Sequence, residues 1–194
     1  MTIQDVIDDV AQGELKQLSV KDDPVAVISY INLGLIELYK RFSLRTEEVV
    51  IPLSATKTIY TLPDDCQSIL EVLDEKGDWY SINDEDDALS ILTPSYNTIQ
   101  VPNPEDGAAI SIIYSALPVR VQVTTDILPL PLSLLDALYN YIGYRGHGAV
   151  NGELKTENNS HYMRFEANCK KAKDLGVITS DDTINTKLVD RGFK

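Results

Sequence analysis

The side chains best placed to do chemistry are the four consecutive acids Asp84, Glu85, Asp86 and Asp87. Carboxylates bind a divalent cation when a loop turns their oxygens toward one centre. Four neighbours on a strand or helix diverge instead, and no DxDxDG loop with a distal Glu accompanies them. They read as a solvated acidic face or an electrostatic docking patch, and no metal site is expected. His147 and His161 stand neither in an HExxH arrangement nor beside a Ser or Cys in a nucleophile elbow, so each reads as a polar contact near a helix end. Cys66 and Cys169 lack CxxC spacing and a nearby His, which predicts two reduced thiols and neither zinc nor a disulfide. Gly143, Gly146, Gly148 and Gly152 follow no strand, and no GxxxxGK[ST] occurs, so a phosphate cradle has no support. No catalytic residue and no cofactor is expected, and the chain reads as a non-enzyme.

The chain has 194 residues and 43% hydrophobic content, enough for one globular domain with a core and too little for two independent cores. Ten Tyr against three Phe and one Trp favour the aromatic that buries its ring and keeps a polar tip, which suits interfaces as well as cores. A net charge of -13 with no dense run of Lys and Arg argues against specific nucleic-acid binding. The acidity is uneven: residues 64–87 hold ten carboxylates against Lys76 alone. The first residues, MTIQDVIDDVAQGEL, lack the basic start and apolar run of an export signal, and no apolar stretch reaches membrane-span length. The expectation is a soluble cytoplasmic product that meets no membrane.

Helical spacing brackets the chain. A helix over 2–15 would start at Thr2 as cap, with Ile3, Val6, Ile7 and Val10 on one face. A second, over 24–42, has Asp23 as N-cap, Pro24 at its first position and the stripe Val27, Ile28, Ile31, Leu35, Leu38 and Phe42, with Glu37, Lys40 and Arg41 toward water. Between them and the closing helices, 44–117 reads as short strands at 47–53, 58–62, 67–74, 79–82, 98–101 and 108–115. Turns are expected at 75–78 and 103–107, where Gly77 and Gly107 allow positive φ. Residues 84–92 read as one or two helical turns. The Pro-bearing stretch 118–131 should run extended. Helices then return over 133–150, with Ser133 as cap, and over 157–175, ending on Gly176. Residues 177–194 read as an extended tail. The predicted fold class is α+β: a short helical bundle with an inserted small antiparallel β lobe, making a single domain over 1–176.

Three stretches carry a family resemblance. DDPVAVISYINLGLIELYKRF is similar to an opening helix of the type "W…L-x-x-L-N-x-G-x-x-E-L", through Ile31, Asn32, Leu33, Gly34, Leu35, Ile36, Glu37 and Leu38. IPLSATKTIYTLPDDCQSILEV is similar to a "strand, polar turn, Y-x-L-P-x-D, strand" segment, through Tyr60, Leu62, Pro63 and Asp64. The third is a closing helical hairpin, with Pro131, Leu135, Ala137, Leu138, Tyr141, Tyr144 and Arg145 on one helix and Asn159, Tyr162, Phe165 and Ala167 on the next. Over residues 2–176 the chain thereby resembles the head-to-tail connector, or adaptor, proteins of tailed bacteriophages.

That resemblance implies a structural virion protein made in the host cytoplasm and residing in the neck. It implies a ring, a dodecamer, assembled beneath the portal protein after genome packaging, extending the DNA channel and giving tail or neck proteins their attachment surface. It further implies that the C-terminal tail reaches the portal; within this tail Ile184, Leu188, Val189 and Phe193 are expected to supply apolar anchors and Arg191 a charged contact. Repulsion between acidic copies predicts a monomer when the protein is free. Asp84, Glu85, Asp86 and Asp87 would face either a tail-side partner or the channel. The alternatives are a tail-completion or stopper accessory protein, or a small regulatory binding domain that engages its partner through the acidic lobe.

Overall fold

The computed structural model describes residues 1–151 and 156–176, with side chains outside 150–159. It is an α+β fold whose described chain forms two compact units, one from Met1–Ser43 with the chain from Pro118 onward, the other Leu44–Leu117.

In the first unit, helix α1 (Ile3–Gln12) opens on a capping box: Asp5 N–H donates to Thr2 Oγ1, and Thr2 N–H to the Asp5 carboxylate. The next free amides of that turn donate to the connection 118–131, Ile3 N–H to Asp126 O at 2.9 Å and Gln4 N–H to Thr124 O at 2.8 Å. The helix stops at Gly13, short of the expected residue 15, because Gly13 leaves helical dihedrals; Leu15 is buried all the same. A 3-10 turn (Ser19–Asp22) leads into α2 (Pro24–Arg41), capped as the sequence predicts by Asp23, whose Oδ1 accepts from Val25 and Ala26 N–H. Val27, Ile31, Leu35 and Leu38 make its fully buried stripe.

The second unit holds six strands: β1 (Thr46–Pro52), β2 (Ile59–Thr61), β3 (Cys66–Asp74), β4 (Leu92–Ser95), β5 (Thr98–Gln100) and β6 (Ala109–Ala116). They form two antiparallel three-stranded sheets, ordered β1-β6-β3 and β2-β5-β4. Side chains of both sheets, among them Ile51, Leu62, Val72, Ile99, Ile110 and Ile112, fill one apolar core. Five predicted strands fall on β1, β2, β3, β5 and β6. The sixth, 79–82, is not a strand: Trp79 and Ile82 make only isolated bridges, to Leu73 and Ile91. Nor is 84–92 helical. Asp86 and Leu89 N–H donate to the side chains of Asp84 and Asp87, so the amides a helix would use are taken by local Asp turns, and Leu92 starts β4 instead. Gly77 and Gly107, both at φ 84°, make the two predicted turns.

Back in the first unit, the connection is irregular until a 3-10 turn (Leu132–Leu134) enters α3 (Leu135–Asn151). Ser133 therefore sits inside that turn and caps no helix, since Leu134 N–H already donates to Pro131 O. Helix α4 (Thr156–Asp174) ends where Gly176, at φ 61°, donates its N–H to Lys173 O. Leu134, Leu138, Ile142 and Phe165 join the α1 and α2 stripes in burial. The predicted tail, with Ile184, Leu188, Val189, Arg191 and Phe193, lies outside the described residues. Among those described, no helix is long and apolar enough to cross a membrane.

Candidate functional site

The motif residues of α2 each hold a neighbouring element in place. Asn32 faces the connection from a site only 8% exposed. Its Nδ2 donates to Val121 O at 2.9 Å and its Oδ1 accepts from Val121 N–H at 3.0 Å, so one side chain supplies both bonds a strand partner would give. Gly34 lets α3 come close: a Cβ there would stand 2.6 Å from Leu138 Cδ1 and 3.2 Å from the Tyr141 ring. Gly146 does the same on α3, where a Cβ would lie 2.5 Å from Leu15 Cδ2. Gly146 of the closing hairpin thus serves packing.

Glu37 holds Arg41, which the sequence pattern put toward water. The guanidinium is instead 26% exposed and receives a bidentate partner from α4, Nη1 to Glu166 Oε2 and Nη2 to Oε1, both 2.8 Å. It also lies 4.6 Å from the centre of the Phe165 ring. Donation to the Glu166 carboxylate raises the Arg41 pKa, and the same bonds from Arg41 hold the Glu166 carboxyl below the ordinary glutamate range. Phe165 in turn meets Tyr141 edge-on at 5.2 Å, and Tyr144 lies 5.1 Å from Tyr162. Beneath them, burial pushes the Cys169 thiol up to about 11, so it stays protonated and inert at neutral pH. His147 and His161 stack at 5.0 Å, and a His147 ring nitrogen lies 3.1 Å from Glu14 O.

In the β unit the working acid is Asp65, the position that the pattern Y-x-L-P-x-D itself reaches from Tyr60, one past the Asp64 read for it. Asp64 is exposed, whereas Asp65 accepts from Arg45 Nη1 at 3.2 Å and Tyr114 Oη at 3.3 Å. Arg45 also donates to Leu117 O, and Leu117 N–H to Asp65 O, so this cluster ties together the two ends of the unit.

Asp84, Glu85, Asp86 and Asp87 share one exposed loop but do different things. Asp84 accepts from Asp86 N–H, and Asp87 accepts from Leu89 N–H and, at 2.5 Å, from Ser81 Oγ. The Ser81 bond, with Leu89, lowers the Asp87 pKa. Among the described residues, the Glu85 and Asp86 side chains have no hydrogen-bond partner, and both are exposed. Among the described residues, no three His, Cys, Asp or Glu gather as a metal site would need.

The arrangement is one of clamps, a charged bridge and exposed patches, as in proteins that work by contact. The sequence profile of the SU10 adaptor protein family matches residues 1–186, and the chain belongs to that family. The resemblance to phage head-to-tail adaptors is thereby borne out, and with it the coarse function of a structural phage adaptor. No curated protein matches the chain.

Proposed function

We propose that this adaptor works as a ring, a dodecamer in the virion neck, seated under the portal protein. There it extends the DNA channel and offers tail or neck proteins their attachment surface. Family membership gives the class; the observation that carries the arrangement is the division of charge. Residues 44–117 hold fourteen Asp and Glu against Arg45, Lys57 and Lys76, a net of -11 out of the chain's -13. Such lobes repel one another, so the free chain, made in the host cytoplasm, stays a monomer. Copies close into a ring only where a template adds many simultaneous contacts. A strongly negative wall also lets DNA pass without gripping its phosphates.

On this reading residues 177–194 dock on the portal, through Ile184, Leu188, Val189 and Phe193 in apolar pockets and Arg191 on a carboxylate. Asp84, Glu85, Asp86 and Asp87 face a basic tail-side partner in preference to the channel. Binding of the portal by the full chain and by a chain ended after Gly176 tests this. The shortened chain should bind at least about tenfold more weakly, the loss of one buried anchor. Equal binding would remove the tail from the account.

A further inference from the structure

The two sheets of the β unit leave one seam open. Strand β3 pairs with β6 along one edge. Among the described residues, its other edge is met only at the far end, where Leu73 bridges Trp79 and Tyr80 N–H donates to Val72 O at 2.9 Å. The same segment then reaches toward β4: Ile91 N–H donates to Ser81 O, and Asn83 N–H to Ile91 O, each at 2.9 Å. Residues 79–83 thus lie across half the seam as a strand would.

Asn83 ends that run. Its φ of 52° turns the backbone away, while its side chain finishes the bonding to β4, Oδ1 accepting from Thr93 N–H at 2.9 Å and Nδ2 donating to Thr93 Oγ1 at 2.8 Å. Beyond it the seam continues as a groove of about 500 Å³ between 66–69 of β3 and 93–96 at the β4 end. Gln67, the extra residue of a bulge in β3, lines this groove, and its Oε1 is buried without a hydrogen-bond partner among the described residues. Tyr96, 91% exposed, stands at its edge. The β3 edge over 66–69, with the buried Gln67 acceptor beside it, has the shape and bonding of an edge that lacks its neighbour, whereas across the groove Thr93 N–H is held by Asn83 and Pro94 has no N–H.

We propose that this groove receives an extended segment of a partner protein, added as a strand along the β3 edge and carrying Lys or Arg among its side chains. The backbone edge supplies binding that any extended chain can use, and charge selects among chains. Asp64 and Asp65 lead into the β3 edge, Asp84 to Asp87 follow Asn83, and the whole unit carries -11, so a basic segment is the one it attracts. The inference does not depend on a ring or a portal.

The test uses the full chain and a short peptide of alternating Val and Lys. Its controls are a Val–Glu peptide and an N-methylated Val–Lys peptide that cannot donate backbone hydrogen bonds. At about ten times its Kd, the Lys peptide should slow amide exchange at 66–69 about tenfold, with neither control doing so. Gln67→Leu, which leaves the free protein's exchange pattern unchanged, should weaken peptide binding about tenfold, the loss of one buried hydrogen bond. No protection by the Lys peptide, equal protection by the N-methylated one, or equal binding to Q67L would overturn the proposal. Protection that grows with protein concentration alone would overturn it too, by making a second copy of this chain the occupant.

Discussion

Arg41 and Glu166 stand 125 positions apart in the chain and meet through two parallel hydrogen bonds of 2.8 Å. With Glu37 on the other side of the guanidinium and Phe165 under it, this pair fastens the last described helix to the second. It is partly solvated, Glu166 being 41% exposed, so its worth is below that of a buried pair. Glu166→Gln should lower stability by about 1 kcal/mol and Arg41→Ala by about 2, since the latter also strips the Phe165 ring. Urea titration of each variant reads both values.

The same pair fixes a pH dependence. Folded Glu166 holds its proton less tightly than the unfolded chain does. Its contribution is therefore full above the ordinary glutamate pKa of 4.5 and fades as the pH falls through the lower folded value. The difference in stability between the natural chain and Glu166→Gln should accordingly be constant near neutrality and shrink below pH 4.5. A difference that grew on acidification would contradict the assignment.

Asn32→Ala removes both bonds to Val121 and leaves a buried N–H and C=O unpaired, which should cost about 2–4 kcal/mol. Asn32→Asp keeps the acceptor, loses the donor and puts a charge in a nearly closed site, and should do no better. Thermal melting of these two variants and of Asn32→Leu distinguishes this clamp from mere packing, because Asn32→Leu should restore volume without restoring stability.

Gly34→Ala sets helix propensity against space. Alanine favours the helix by about 1 kcal/mol, but its Cβ falls 2.6 Å from Leu138 Cδ1, and Leu138 is fully buried. The net effect should be a loss of about 1–2 kcal/mol. In a Leu138→Ala background the same change should turn neutral or favourable, and a double-mutant cycle reads that coupling directly.

Much of the helical frame was legible because it is local. Thr2 as cap, Asp23 with Pro24, the Val27 to Leu38 stripe and Gly176 past the last helix are decided within a turn or two of sequence, and all stand where the pattern put them. The strands announced themselves by β-branched runs between Gly turns. What escaped was set by distance or by side chains replacing backbone partners. Nothing near Arg41 points to Glu166. Nothing near Asn32 points to Val121. Asp84 and Asp87 use their carboxylates to hold loop amides, which disguised a turn as a helix start and hid β4 behind it. The acidic run was visible at once, but only the structure separates the loop-building Asp84 and Asp87 from the outward Glu85 and Asp86.

That separation gives a cleaner test of the patch. Glu85→Gln with Asp86→Asn should leave stability within about 0.5 kcal/mol, while slowing association with a basic tail-side protein and flattening its dependence on salt. Asp87→Asn should instead cost about 1 kcal/mol, because Ser81 and Leu89 donate to different oxygens and the NH2 that replaces one of them cannot accept. Stopped-flow binding across a salt series, beside urea titration, keeps the two effects apart.

The most direct measurement is electron microscopy of the purified chain, alone and mixed with the phage portal. Single copies are expected alone, and with the portal a closed ring of twelve coaxial with it, its channel continuous with the portal's. A bare portal, copies scattered on its outer wall, or closed rings formed without it would contradict the account.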